Sequence, residues 1–244
     1  MTQDYSKYKE EDFWVWKTLF ERQMKQLPEL ASPAFLDGVK AIEFSADTIP
    51  EFGATNQLLE KITGWNLVAV PGLIDNKSFF ELLKDKKFPA STWFRKATQL
   101  DYLEEPDMFH DVFGHVPLLT NQNFCNFLTG LSEIALKHID NEWVVELVSR
   151  IYWFTVEFGL IQEADKLQIY GAGILSSSGE SVYSLGKTPE RVPYSASEVI
   201  RTSYIKDKFQ EKYFVIDSYK QLYDSVAEIE EAILGELESG EIER

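Results

Sequence analysis

The residues best suited to chemistry lie in one stretch, EPDMFHDVFGHVPLL, which holds two of the chain's three histidines. His110 and His115 are flanked there by Asp107 and Asp111, and imidazole with carboxylate is a usual N/O ligand set for a transition metal. His138 stands alone, and a lone histidine more often satisfies a core hydrogen bond. The pair is spaced i, i+5, which on a regular α-helix turns the side chains about 140° apart. One ion can be shared only if the turn is distorted. Gly114 and Pro117 mark where such a distortion, or a helix end, could lie.

A third ligand has to come from elsewhere. Two imidazoles and a carboxylate make the facial triad of non-haem Fe(II) oxygenases, which leaves positions open for oxygen and water. Glu157 is the carboxylate that stands out, because IYWFTVEFGL surrounds it with aromatic and aliphatic residues. Burying it unpaired would cost on the order of several kcal/mol, so it needs a cation or a proton. The competing reading is a salt bridge on one helical stripe that carries Glu146, Arg150 and Glu157. Arg150 lies one turn from Glu146 but two turns, about 10 Å, from Glu157. Arg150 should therefore pair with Glu146 and leave Glu157 free. The residues alone leave metal ligation and a structural role for Glu157 equally open. HExxH, His-x-Asp followed by a distant His, GxGxxG and GxxxxGK[ST] are all missing. The glycines at 171 and 173 in YGAGILSSSGE read by themselves as a tight turn.

Elements must carry these residues into one place. Helical periodicity or apolar runs predict helices at about 10–27, 32–41, 53–63, 77–86, 122–138 and 142–163. Short strands are expected at NLVAV (66–70), STWFR (91–95) and YFVID (213–217). The fold class expected is α+β, a mostly helical single catalytic domain over 1–244. Its core spans about 14–222 and an acidic tail about 224–244 reads as a solvated helix face. At 244 residues, 44% of them hydrophobic and 14% aromatic, the chain can bury a sizeable core. A net charge of −16 leaves no basic surface to displace phosphate counterions, so neither nucleic acid nor an anionic membrane is an expected partner. No apolar run reaches about 18 residues, and MTQDYSKYKEED lacks a signal-peptide pattern. The lone Cys125, in NFCNFL, permits no intramolecular disulfide and reads as a core residue, in keeping with a reducing cytoplasm.

Taken together, EPDMFHDVFGHVPLL, IYWFTVEFGL and YGAGILSSSGE, in this order, resemble the catalytic domain of the pterin-dependent aromatic amino acid hydroxylases. VPGLI (70–74) and FPASTWFR (88–95) fit upstream and YFVIDSYKQL (213–222) downstream, so the likeness spans roughly residues 14–222. It is strongest to the short prokaryotic phenylalanine 4-hydroxylases, which resemble this chain in carrying no regulatory or tetramerisation segment, and a monomer is the expectation. The resemblance implies a monooxygenase that hydroxylates phenylalanine with Fe(II), a tetrahydropterin (tetrahydrobiopterin or a relative) and O2 as co-substrate. Tryptophan or tyrosine on the same scaffold, and a non-catalytic metal-binding helical protein, are the alternatives. It implies His110, His115 and Glu157 as iron ligands, with no catalytic residue beyond them. Gly72, Leu73 and Ile74 would meet the pterin through their backbone, Phe79 through its ring, and Asp111 and Tyr152 from the pterin side. Arg95 would grip the amino acid carboxylate with Asp107 orienting the guanidinium, a use suited to the bidentate fork. Pro106, Trp153 and Gly173 would border the aromatic ring, and Ser176 would fix the carboxylate end or a ligand histidine. Three positions depart from the animal enzymes: Leu103 replaces a hydroxyl residue, Asp111 a longer glutamate, and Ser178 a larger side chain.

Overall fold

The computed structural model describes residues 1–101 and 105–239, the Ser239 side chain excepted; Leu103 lies outside the described residues. α1 (Glu10–Met24) opens with Glu10, Glu11 and Asp12 at the positive helix end, and Asp12 accepts the Lys9 N–H at 2.8 Å. One face of α1 buries Val15, Trp16, Leu19, Phe20 and Gln23. α2 (Leu27–Leu30) carries Pro28 in its first turn, so the chain breaks before the proline instead of running up to it. α3 (Pro33–Ala41) is capped by Ser32. After α4 (Phe52–Ile62), strands β1 (Asn66–Val70) and β2 (Lys87–Ser91) pair in parallel, Asn66 opposite Lys87, with α5 (Asn76–Lys84) as the crossover.

The long helices α6 (Gln122–Lys137) and α7 (Glu142–Tyr152) start from Asn121 and Asn141, whose side chains accept first-turn N–H groups. β3 (Leu160–Glu163) and β4 (Lys166–Ile169) form an antiparallel hairpin. With β5 (Glu190–Pro193) and β6 (Lys212–Ile216) they make a sheet ordered β4-β3-β6-β5, in which β6 is parallel to both neighbours. Short helices α8 (Ala172–Leu175), α9 (Ser178–Tyr183), α10 (Ala196–Arg201) and α11 (Tyr219–Asp224) precede α12 (Val226–Ser239). Trp16 gathers Phe20, Phe44, Phe94 and Phe109 around it, and Phe109 stacks on Phe113 at 4.7 Å. Cys125 is buried in this core, and burial pushes its thiol up to about 12. No described helix is long and apolar enough to cross a membrane.

Four expectations need correcting. The helix expected over 142–163 ends at Glu157, and Leu160–Glu163 is a strand. Gly159 makes the break: a Cβ there would stand 2.1 Å from the Tyr170 ring and 2.4 Å from the Thr155 carbonyl, and its own carbonyl accepts the Tyr170 and Gly171 N–H groups. The strand expected at 91–95 lies four residues earlier, at Lys87–Ser91. Its proline is tolerated because β2 has a strand on one side only. Beyond it, Asp111 and Asp107 take the Ser91 and Arg95 N–H groups at 2.7 and 2.9 Å, so 92–95 docks on side chains instead of joining the sheet. Strands β3, β4 and β5, too short for the pattern to reveal, went unforeseen. Lastly, the acidic tail is not simply a solvated face. Ile229 and Ile233 of α12 are buried, and so is Glu236, which accepts from Arg201 Nε at 2.7 Å.

Candidate metal centre

Both segments that carry the candidate ligands leave the α-helical register. Phe109–His115 and Trp153–Glu157 are π-helical turns, the second continuing α7. The i→i+5 bonding of a π turn accommodates one more residue than an α-helical turn, which returns residues five apart to one face. This is the distortion that the His110–His115 spacing calls for. In the first turn Phe109, Val112 and Phe113 point into the core while the two histidines face the site. In the second, the Phe158 N–H reaches the Trp153 carbonyl at 2.9 Å, an i→i+5 bond. Thr155 Oγ1 also donates to the Ile151 carbonyl at 2.5 Å, a bond that bends helices.

The three side chains converge. His115 Nε2 lies 3.2 Å from His110 Nε2 and 3.2 Å from Glu157 Oε1, and His110 Nε2 lies 3.5 Å from Glu157 Oε2. Donors that share one ion at about 2.0–2.2 Å and near-right angles stand about 3 Å apart, so the set fits a single metal. These side chains are 19%, 3% and 14% exposed for His110, His115 and Glu157, so the centre is secluded without being closed. Burial alone would raise the Glu157 carboxyl, yet the His115 and His110 charges, with hydrogen bonds from His115 and the Gly173 N–H, hold it below its usual range. Burial is also the main cause that lowers His110, against the pull of Glu157, and so favours the neutral, metal-binding ring. As expected, Arg150 Nε bonds Glu146 at 3.2 Å and leaves Glu157 to the imidazoles.

Other groups orient these candidate ligands. His110 Nδ1 lies 3.0 Å from Ser176 Oγ, which donates its proton to the Ala172 carbonyl at 2.8 Å. Ser176 can then only accept from the ring, which puts the His110 proton on Nδ1 and turns the Nε2 lone pair toward the site. His115 packs against Phe88 (4.8 Å between centroids), and its Nδ1 has no partner among the described residues. The glycines at 171 and 173 do more than form a tight turn. A Cβ at Gly171 would stand 2.4 Å from the Glu157 carbonyl, and one at Gly173 2.8 Å from Phe158, so both allow α8 to close on the second π turn.

Arg95 is no surface ion pair. Its Nε and Nη2 each meet an Asp107 oxygen at 2.8 Å, with side-chain exposures of 8% and 0%. Asp107 also accepts the Arg95 N–H at 2.9 Å and the His110 N–H at 3.1 Å, tying the guanidinium to the first π turn. Pro106 is half-buried just before it. Phe79, on α5, meets Tyr152 edge-on at 5.5 Å. Burial, then the Glu157 and Asp111 charges, push the Tyr152 phenol well above its ordinary value. Burial likewise raises the Asp111 carboxyl. Gly72, Leu73 and Ile74 lie between β1 and α5, where Leu73 is 75% exposed and Gly72 has φ 155°. Ser178 is half-buried at the start of α9, and nothing in the structure explains its departure from the family. His138 caps α6 away from the metal set. Sequence reasoning missed Ser91, Gln210, Glu180 and Tyr204, which border or brace these groups from distant segments and carry no motif.

Residues 4–237 match the family described as biopterin-dependent aromatic amino acid hydroxylase. The phenylalanine-4-hydroxylase of Chromobacterium violaceum is 46% identical over 228 residues, which are 93% of this chain and 76% of that protein. The crystal structure of the phenylalanine hydroxylase from the same organism, with bound iron(III) and oxidized cofactor 7,8-dihydrobiopterin, matches with a TM-score of 0.93 at 44% identity. That match covers 98% of this chain and 86% of the other. Its iron- and phenylalanine-bound crystal structure matches with a TM-score of 0.92 at 42% identity, over 98% and 87% of the two chains.

Proposed function

The chain belongs to the biopterin-dependent aromatic amino acid hydroxylases, and from that premise we propose that it hydroxylates L-phenylalanine to L-tyrosine with iron, a tetrahydropterin and O2. The observation that carries this reading is the convergence of two imidazole nitrogens and one carboxylate within 3.5 Å of one another. Relatives named for this activity, and solved relatives with iron, dihydrobiopterin and phenylalanine bound, support the choice of cofactors and substrate.

His110, His115 and Glu157 would hold Fe(II). With the pterin, the metal supplies the activation of O2 and the delivery of one oxygen atom to the ring. The chain's own residues do the placing. Glu157 offers a carboxylate that stays ionised, and Ser176 keeps His110 in the ligating tautomer. Two of the guanidinium's three nitrogens are engaged by Asp107, while Nη1 has only a 3.4 Å contact with the Leu100 carbonyl and is available to a substrate carboxylate. Pro106, Trp153 and Gly173 border the substrate ring in this reading. On the pterin side, Gly72, Leu73 and Ile74 make no hydrogen bond with the described residues, so their backbone groups are open to a ligand. Phe79 and Tyr152 supply ring surface, and Asp111 a carboxylate, one oxygen of which accepts the Ser91 N–H at 2.7 Å. No further side chain has an acid–base role. The buried single cysteine supports a reducing, cytoplasmic setting, and a monomer is the assembly proposed, to be read by light scattering.

Replacing Glu157 with Ala tests the centre. The expected outcome is iron stoichiometry near zero and loss of tyrosine formation, and near-normal values of both would defeat the assignment. Offering tryptophan and tyrosine in the same assay checks the substrate.

A further inference from the structure

Behind the second π turn lies a buried polar chain that the reading above leaves without a task. The Trp153 indole Nε1–H donates to Gln210 Oε1 at 3.0 Å. Gln210 is 3% exposed, and its Nε2 donates to the Ile205 and Lys208 carbonyls at 2.7 and 3.3 Å. Its backbone N–H reaches Glu180 Oε1 at 3.2 Å, an oxygen that also accepts the Tyr213 hydroxyl at 2.6 Å. The segment that Gln210 braces carries Tyr204, stacked on the Trp153 indole at 4.6 Å and 25°. One amide side chain therefore ties three things together: the indole, the loop that covers it, and, through its own backbone, a buried carboxyl on α9.

Turning the indole over would leave the Oε1 of buried Gln210 without its donor, at a cost of about 1–3 kcal/mol, so the Gln210 acceptor selects one ring orientation. The amide can accept from the indole only while its Nε2 faces the two loop carbonyls, so the loop in turn fixes the acceptor. Of the proposed ring wall, Trp153 is the member with a movable side chain, and it is the one held this way.

We propose that Gln210 is a positioning residue for phenylalanine hydroxylation, holding Trp153 in the orientation that meets the substrate ring while the loop through Tyr204 backs the indole. This rests on the reading that Trp153 borders that ring. The test compares iron-loaded wild type, Gln210→Met, Trp153→Phe and the double variant by KM for phenylalanine and for tetrahydropterin. Gln210→Met should raise the phenylalanine KM roughly three- to tenfold, leave the pterin KM within about twofold, and add little once Trp153 is Phe. An undiminished effect of Gln210→Met in the Trp153→Phe background would overturn the proposal, because the glutamine would then act through the fold and not through the indole. A wild-type phenylalanine KM in Gln210→Met beside an impaired Trp153→Phe would also overturn it. A wild-type phenylalanine KM in Trp153→Phe would instead sink the ring-wall reading, and this proposal with it. A measurement on unmodified Gln210 guards against misfolding of the variant. In 15N-tryptophan-labelled protein, the indole signal absent from Trp153→Phe should be among the slowest to exchange with solvent, and exchange as fast as an exposed indole would overturn the assignment.

Discussion

On one side of the candidate metal set, Asp107 accepts four hydrogen bonds, three buried ones from Arg95 and a partly buried one from the His110 N–H. On the other, the 72–74 backbone makes none with the described residues, and Leu73 is three-quarters exposed. The proposed amino acid side is built before any ligand arrives, whereas the proposed pterin side keeps donors and acceptors unspent. In the proposed reading, preorganisation of the first would lower the ordering cost of binding and fix the substrate's angle to the proposed iron ligands. The second would make its last contacts only with the cofactor, which suits a molecule recognised by peptide groups and a ring face. Rigidity would then sit where the site must choose where to oxidise.

Substitutions on each side can break or sharpen this contrast. The largest effect belongs to Asp107→Ala. Leaving Arg95 buried without its partner costs on the order of 3–5 kcal/mol. Urea unfolding should show much of that loss, and the phenylalanine KM should rise about 100-fold or more, with the pterin KM little changed. Equal rises in both would erase the contrast. Phe79→Ala should do the reverse, raising the pterin KM roughly tenfold, about 1.4 kcal/mol of lost ring contact, while the phenylalanine KM holds.

The smallest effect concerns Glu180, behind the amino acid side. Burial raises its carboxyl pKa, although the Tyr213 and Gln210 hydrogen bonds oppose this. Because the folded value lies above the unfolded one, the stabilising protonated form is fully present below the unfolded pKa and is lost as pH rises through the folded value. Glu180→Gln, which can still accept both bonds, should flatten the decline in stability across that window, read as urea midpoints at a series of pH values. An unchanged slope would show that Glu180 contributes no pH dependence of its own.

Much of this was legible in the sequence, and the reasons are specific. The expected helices at 32–41, 53–63, 77–86 and 122–138 agree with the observed bounds to within about two residues, because apolar periodicity is clear in each and side-chain caps (Ser32, Asp75 and Asn121) start three of them. The pairing of Arg150 with Glu146 followed from helical distance alone. The convergence of His110, His115 and Glu157 was harder, since a period of 3.6 places the two histidines on different faces. Only the π turn reconciles them; Gly114 and Pro117 mark a place for a distortion or a helix end without saying which. The run into 163 failed for a related reason: IYWFTVEFGLIQ is apolar enough for a helix, and only the return of Tyr170 and Gly171 onto Gly159 forbids it. Gln210 and Glu180 were invisible because their importance depends on partners 57 and 30 residues away.

The two π turns also constrain chain length in a way the side chains do not. Each amounts to a helix that has taken in one surplus residue, and the surplus swings a ligand through roughly 100° relative to regular winding. Deleting one residue from either turn should therefore carry a metal-facing side chain off the site even when every other residue type is kept. The metal site is written partly as arithmetic: one residue more than the hydrogen-bond ladder would ask for, at each of the two places where an ion must be met.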